Sequence, residues 1–252
     1  MNIAVITGAS SGLGVEYTKA VFDIYKDIQQ IWIIARREDR LKELKSALGD
    51  KIHPIALDLT DNSALEQYAT LLGDKKANVK LLINNAGYGK LGNFEDLAKE
   101  DNVGMIELNC CSLTAVTAIT LPYMKENSEI INTCSIASFA PNTRLAVYSS
   151  TKAYIMSLSR ALRQELKKRK INVLACCPGP MDTEFLSVAN ITKGASKTFD
   201  HLPRVNPKTM ATKTLKASKK KKAVYTNLFI FKLFRVIAKI LPKSIVMKFC
   251  GA

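Results

Sequence analysis

The chain has 252 residues, 47% apolar and 23% charged, with 12 glycines and 8 prolines; it can bury a good-sized core, which excludes a disordered or fibrous protein. Its formal charge of +15 is unevenly placed, because residues 201–252 hold 13 of the 37 Lys and Arg and no Asp or Glu. Residues 1–200 are therefore near neutral, and the remainder is a cationic appendage or a cationic face of the same body.

Short β-branched runs alternate with longer segments of helical period. Strands are predicted at Ile3–Ile6, Ile31–Ala35, Ile52–Ala56, Val79–Ile83, Ile130–Thr133, Asn172–Cys176 and near Ala223–Thr226. Helices are predicted at Gly12–Tyr25, Arg37–Leu48, Ser63–Leu72, Asp101–Lys125, Tyr148–Arg169 and Lys208–Ser218. Strands that are apolar throughout suit a parallel sheet covered on both faces, so the fold class is a doubly wound α/β domain of Rossmann type. The segment Asp200–Pro207, with two prolines, reads as a mobile flap. The apolar run at Met1–Ile6 is too short for a signal peptide, so a cytoplasmic location is expected. Six cysteines without a C-x-x-C spacing fit neither a disulfide framework nor a zinc ribbon; buried, reduced thiols and no metal are expected.

Thr7-Gly8-Ala9-Ser10-Ser11-Gly12-Leu13-Gly14 follows the first strand and opens the first helix. Bare amides at a helix N-terminus attract a pyrophosphate, although the G-x-x-x-G-x-G spacing alone also permits a plain glycine turn. The second strand ends in Ala35-Arg36-Arg37, where an acidic residue would bind a ribose 2′-hydroxyl. Two guanidinium groups instead suit a 2′-phosphate and favour NADP over NAD. Arg36 is the expected phosphate contact and Arg37 the second candidate.

Tyr148-Ser149-Ser150-Thr151-Lys152 puts a phenol and an ammonium one helical turn apart, and among the eight tyrosines only Tyr148 has a lysine four positions on. A nearby ammonium lowers a phenol's pKa and lets it exchange a proton with a carbonyl or hydroxyl. Ser135 closes the strand run Ile130–Cys134, Asn84-Asn85-Ala86-Gly87 closes the fourth strand, and Asn109 lies inside the long predicted helix.

These motifs, in this order and spacing from Met1 to Thr183, resemble those of the short-chain dehydrogenases/reductases. The resemblance includes Asp58 after the third strand and Pro178-Gly179-Pro180-Met181-Asp182-Thr183 after the sixth. It implies seven parallel strands in the order 3-2-1-4-5-6-7. It also implies a catalytic set of Tyr148 as general acid or base, Lys152 tuning it, Ser135 orienting the substrate oxygen and Asn109 anchoring a water, with Tyr148 and Lys152 also bordering the cofactor, where Lys152 holds the nicotinamide ribose. For the cofactor, it assigns Gly8, Ser10, Ser11, Gly12, Leu13 and Gly14 to the pyrophosphate side and Asp58 and Leu59 to the adenine. Asn85, Ala86 and Gly87 fall to the adenosine ribose, and Pro178, Gly179 and Thr183 to the nicotinamide. A homodimer or homotetramer, paired through the helices at Asp101–Lys125 and Tyr148–Arg169, is implied by the same likeness.

Beyond Thr183, Phe185, Leu186, Val188, Phe199 and Leu202 make the loop to Pro207 more apolar than solvent requires. They favour a lipophilic carbonyl substrate, or merely pack on the sheet. Lys219–Lys222 precedes Asn227–Leu241, in which Lys232, Arg235, Lys239 and, across Pro242, Lys243 form a narrow basic stripe against a wide apolar face. Residues 1–226 are read as the catalytic domain and 227–252 as an amphipathic helical extension. That extension is too short to span a bilayer and either packs on the protein or lies in the plane of an anionic membrane. Nucleic acid is not expected, since apolar residues dominate the tail. The reading is an NADP(H)-dependent oxidoreductase interconverting a ketone and a secondary alcohol, on a lipophilic substrate such as a steroid-like or acyl carbonyl compound. The alternatives are small 3-hydroxy acids as substrates, or a non-catalytic cofactor-sensing or membrane-scaffold module.

Overall fold

In the computed structural model, which describes residues 1–192, 194–248 and 250, seven parallel strands form one sheet in the order β3-β2-β1-β4-β5-β6-β7. The strands are β1 (Asn2–Thr7), β2 (Gln30–Ala35), β3 (Ile52–Ala56), β4 (Asn78–Asn84), β5 (Glu129–Thr133), β6 (Asn172–Cys176) and β7 (Val224–Tyr225). Helices α1 (Gly12–Ile24), α2 (Glu38–Leu48) and α3 (Asn62–Asp74) connect the first strands, and α4 (Lys99–Ile106) and α5 (Leu113–Thr120) lead into β5. They are followed by α6 (Ala146–Glu165), α7 (Glu184–Val188), α8 (Lys197–His201), α9 (Pro207–Lys219), α10 (Phe229–Ile240) and α11 (Lys243–Met247).

Side chains of the central strands point alternately to two layers. Ala4, Ile6, Ile31 and Ile33 pack toward α1 and α9, whereas Ile3, Val5, Trp32 and Ile34 pack toward α3 and α5. Both faces are apolar because both are covered, so the strands lack the polar alternation of a one-faced sheet. The strand order reverses between β1 and β4, which opens a crevice at their carboxyl ends. Thr7 stitches that crevice: its Oγ1 accepts hydrogen bonds from the amides of Asn85 (2.9 Å) and Ala86 (3.0 Å).

The structure revises four sequence expectations, the last of them in the tail. The helix expected over 101–125 is interrupted at Glu107–Ser112 by π-helical turns and ends in a 3₁₀ turn at Leu121–Tyr123. Ser112 holds the bulge, its hydroxyl bonding the carbonyls of Leu59 (2.7 Å) and Glu107 (2.9 Å). The expected flap at 200–207 is anchored: Val205 is buried and its amide bonds the Pro180 carbonyl at 2.8 Å, and α8 overlaps its start. Cys111 is exposed, while the other five cysteines are buried and free.

The chain beyond residue 226 folds back onto the body. Phe231 and Ala238 of α10 are buried, and Phe234 packs on Phe139 with ring centroids 5.9 Å apart. Lys243 leaves the expected basic stripe, because Pro242 ends the helix and turns its ammonium onto the carbonyls of Phe139 (2.8 Å) and Ala238 (2.9 Å). Lys219–Lys222 lie at the opposite, amino edge of the sheet, where the Lys219 ammonium stands 4.1 Å over the Tyr25 ring. Phe249, Gly251 and Ala252 of the expected extension lie outside the described residues.

Candidate functional site

A cavity of about 930 Å³ runs along the carboxyl edge of the sheet, from Arg36 and Asp58 at one end to Ser135, Tyr148 and Lys152 at the other. It is at the upper end of ordinary ligand sites, roughly 300–1,000 Å³. Of the residues singled out in the sequence, Gly14 and Asn109 do not line it. A side chain at Gly14 would fall on the Gly8 carbonyl, so Gly14 lets α1 start directly beneath the loop. Gly8 itself turns with φ +66°, and a Cβ there would meet the Ala86 backbone at 2.7 Å.

The loop fits an anionic group. Ser11 occupies the N-cap of α1 without a side-chain cap bond, so the first-turn amides of Gly12 and Leu13 open toward the cavity they line. At the far end Arg36 is exposed, with Nη1 3.7 Å from Asp58 Oδ2. Arg37 is committed elsewhere: its Nη2 lies 2.8 Å from Glu184 and 3.1 Å from Ser10 Oγ. Partial burial raises the Asp58 pKa, but hydrogen bonds from Thr60 and the Arg36 guanidinium outweigh it and hold the carboxyl below its usual range. Leu59 is buried beside it.

The other end gathers side chains able to exchange a proton. Ser135 sits just beyond β5, its Oγ accepting the Ala137 amide at 3.1 Å. Tyr148, in the first turns of α6, is buried, and its ring packs on Phe185 at 5.6 Å. Burial pushes the phenol up to about 12, against a lowering hydrogen bond from Ser135. Lys152 is buried one turn on. Its Nζ donates to the Thr133 carbonyl at 2.9 Å and stands 5.6 Å from the Tyr148 ring centroid. Desolvation lowers the Lys152 pKa, which leaves a weaker, more readily deprotonated ammonium than a surface lysine.

Asn109 works from behind the cavity wall. Its Oδ1 accepts the Tyr88 amide at 3.0 Å, and its Nδ2 donates to the Tyr88 carbonyl (2.9 Å) and Thr151 Oγ1 (3.0 Å). The π turns aim it there, since the extra residue rotates its side chain toward Gly87. A Cβ on Gly87 would lie 2.7 Å from Asn109 Oδ1 and 3.6 Å from Lys152 Nζ, so glycine is what permits the three to converge. Asn85 links the crevice walls, its Nδ2 donating to the Gly8 carbonyl (3.2 Å) and its Oδ1 accepting from Thr133 Oγ1 (3.3 Å). The Pro178 carbonyl accepts the Ile136 amide at 3.0 Å, and Pro178, Gly179 and Thr183 complete the wall.

A supporting layer was missed by sequence reasoning. Asn84 Nδ2 bonds Asn132 Oδ1 (2.8 Å) and Thr117 Oγ1 (2.9 Å), and Asn132 Nδ2 bonds Ser159 Oγ (2.9 Å). This buried chain locks β4, β5, α5 and α6 together beneath Tyr148 and Lys152. Polar residues inside otherwise apolar strands, as in Ile130-Ile131-Asn132, were its only signal.

The short chain dehydrogenase family model matches residues 2–194. The chain belongs to that family. Among curated relatives, this dehydrogenase is similar to a serine 3-dehydrogenase of Agrobacterium fabrum, 33% identical over 81% of each chain. It is also similar to an NADP-dependent 3-hydroxy acid dehydrogenase of Schizosaccharomyces pombe, 35% identical over 72% of each. Among solved structures it resembles the closed form of a serine dehydrogenase complexed with NADP⁺. That match has a TM-score of 0.78 and 28% identity, and covers 89% of this chain and 92% of the other.

Proposed function

We propose that this dehydrogenase interconverts a ketone and a secondary alcohol with NADP(H), using Ser135, Tyr148 and Lys152 as its catalytic residues. The observation that carries the reading is their convergence at one end of a cavity whose other end presents the exposed Arg36 guanidinium. The nucleotide would lie from Arg36 and Asp58, past the amides of Gly12 and Leu13, toward Thr183. When bound, it supplies or accepts the hydride.

The protein's own part is alignment and one proton. Ser135 Oγ orients the substrate oxygen beside the Tyr148 hydroxyl. In reduction the phenol donates its proton to that oxygen, and a pKa near 12 keeps the proton in place at neutral pH. In oxidation the phenol must first be deprotonated, which the Lys152 ammonium favours electrostatically. Asn109 is a positioning residue that holds the Tyr88 turn and, through Thr151, the helix that carries both groups.

For the substrate, the curated relatives support the 3-hydroxy acid class over steroid-like alcohols. Phe185, Leu186, Phe199 and Leu202 add hydrocarbon wall beside Tyr148, which suits an acid with an apolar substituent. A homo-oligomer is proposed through α4 and α6, whose surfaces expose Val103, Ile106 and Tyr154.

The test is Tyr148→Phe, assayed with a panel of 3-oxo and 3-hydroxy acids of increasing chain length. Turnover is expected to fall by about 10²–10⁴-fold with NADPH affinity nearly unchanged; a variant that turns over like the wild type sinks the assignment.

A further inference from the structure

The outer face of α10 has no partner within the chain. Fifteen large apolar side chains are exposed among the described residues, and nine of them fall within residues 229–247. Phe229 is 78% exposed and Ile240 74%, with Leu233, Val236 and Ile237 between them. At about 100° per residue these five fall within one arc of roughly 100°, on the side of the helix opposite the buried Phe231 and Ala238. Lys232, Arg235 and Lys239 are all exposed and lie together on one flank of that arc.

We propose that α10 is a docking face for an anionic lipid bilayer, lying in the plane of the membrane surface. Charge complementarity selects this occupant. Lys232, Arg235 and Lys239 flank the arc and α10 carries no acidic side chain, so a second copy meeting this face across a two-fold axis brings like charges together. A phospholipid surface with anionic headgroups neutralises the same flank while burying the apolar arc. At 12 residues α10 is too short to cross a membrane, and its inner face is already committed to the body.

The location relates docking to the cavity. Ile230 is 53% exposed and also lines the cavity, as do Phe231 and Phe234 on the adjoining positions. The docked helix therefore sets the rim of the cavity against the acyl boundary, where an amphiphile dissolved in the bilayer can enter. Phe231 packs so closely on Gly179 that a Cβ there would overlap its ring, so the helix and the cavity wall are one packed unit.

The experiment is co-sedimentation of the full chain with phosphatidylcholine vesicles, with and without a phosphatidylglycerol fraction of about one third. Two variants accompany the wild type: Val236→Asp/Ile240→Asp, and Lys232→Gln/Arg235→Gln/Lys239→Gln. None of the five positions lines the cavity, so NADPH affinity serves as the check on folding. Wild type is expected to partition onto the anionic vesicles, less so as salt rises. The triple variant should lose about fivefold per charge removed, roughly 100-fold in all, and the aspartate variant should stay in the supernatant. Wild type failing to partition, or both variants partitioning like it, overturns the proposal. If the aspartate variant instead sediments as a smaller species in velocity runs while wild type ignores vesicles, the face belongs to a second copy and the proposal fails. Should the aspartate variant not fold, the triple variant, altered only at exposed side chains, decides alone.

Discussion

Replacing Arg36 with alanine is the most direct probe of cofactor choice, because the two adjacent arginines are in different situations. Arg36 is 74% exposed at its side chain, and its ion pair among the described residues is the long 3.7 Å contact with Asp58. Arg37 is held by Glu184 at 2.8 Å and by Ser10. A charge-assisted hydrogen bond to a phosphate contributes about 1.5–3 kcal/mol, and solvent exposure puts Arg36 at the lower end. A loss of about 1.4 kcal/mol is tenfold, so Arg36→Ala should lower kcat/KM for NADPH by roughly tenfold. Values for NADH, which has no 2′-phosphate, should hold. The freed Asp58 carboxylate adds to the discrimination, since without its cationic neighbour it repels a 2′-phosphate. Arg37→Ala breaks the links to Ser10 and Glu184 and loosens the loop that both cofactors share, so both should weaken together. Steady-state kinetics with each cofactor reads the ratio. Equal losses for NADPH and NADH in Arg36→Ala, or a changed ratio in Arg37→Ala alone, would refute the assignment of the 2′-phosphate to Arg36.

Two predictions concern pH. With the Tyr148 phenol pushed up to about 12, its phenolate fraction grows with every unit of pH above neutrality. The rate of alcohol oxidation should therefore climb between pH 7 and 10 while ketone reduction does not rise; an oxidation rate that is flat over that window counts against Tyr148 as the base. The second concerns Glu129, at the amino edge of β5. Burial raises its pKa above the ordinary 4.5 despite hydrogen bonds from Tyr25 and Ser218. A carboxyl whose folded pKa is raised binds its proton more tightly when folded, so stability is lost as pH rises through and above 4.5. Glu129→Gln should accordingly melt at a higher temperature than wild type at pH 7. The two melting temperatures should converge below pH 4.5, and thermal denaturation across that range checks both statements.

The strands, the glycine loop and the Tyr148–Lys152 pair were legible because they rest on local signals, whereas the sheet order came from the family resemblance. Apolar runs marked the strands, the glycine loop marked the entry to α1, and the Tyr148–Lys152 spacing holds wherever α6 is helical. What was not legible came from contacts between distant segments. The π turns at Glu107–Ser112 depend on Ser112 reaching the Leu59 carbonyl and on Asn109 reaching Tyr88 and Thr151. A periodicity argument sees only one continuous helix there, since a single extra residue in a turn leaves the apolar spacing nearly intact. The short helices α7 and α8 escaped for a similar reason: five residues each is less than two turns, too little for a period to register.

The tail illustrates the limit of amphipathicity as a signal. Along α10 and the following Leu241 the apolar residues cover an arc of roughly 220°, whereas a surface helix packing on one core needs a stripe of little more than 100°. The sequence therefore encodes more hydrophobic surface than a single partner can use. Phe231, Phe234 and Ala238 take up one half by packing on the body. The other half, from Val236 through Phe229 and Ile240 to Leu233 and Ile237, remains in water. At about 25 cal/mol per Å² such exposure is costly to keep without use. Three cations along one edge would be an odd way to solubilise it, since they leave its centre bare. They are well placed to bring it to a negatively charged surface, which is what the proposed docking of α10 requires.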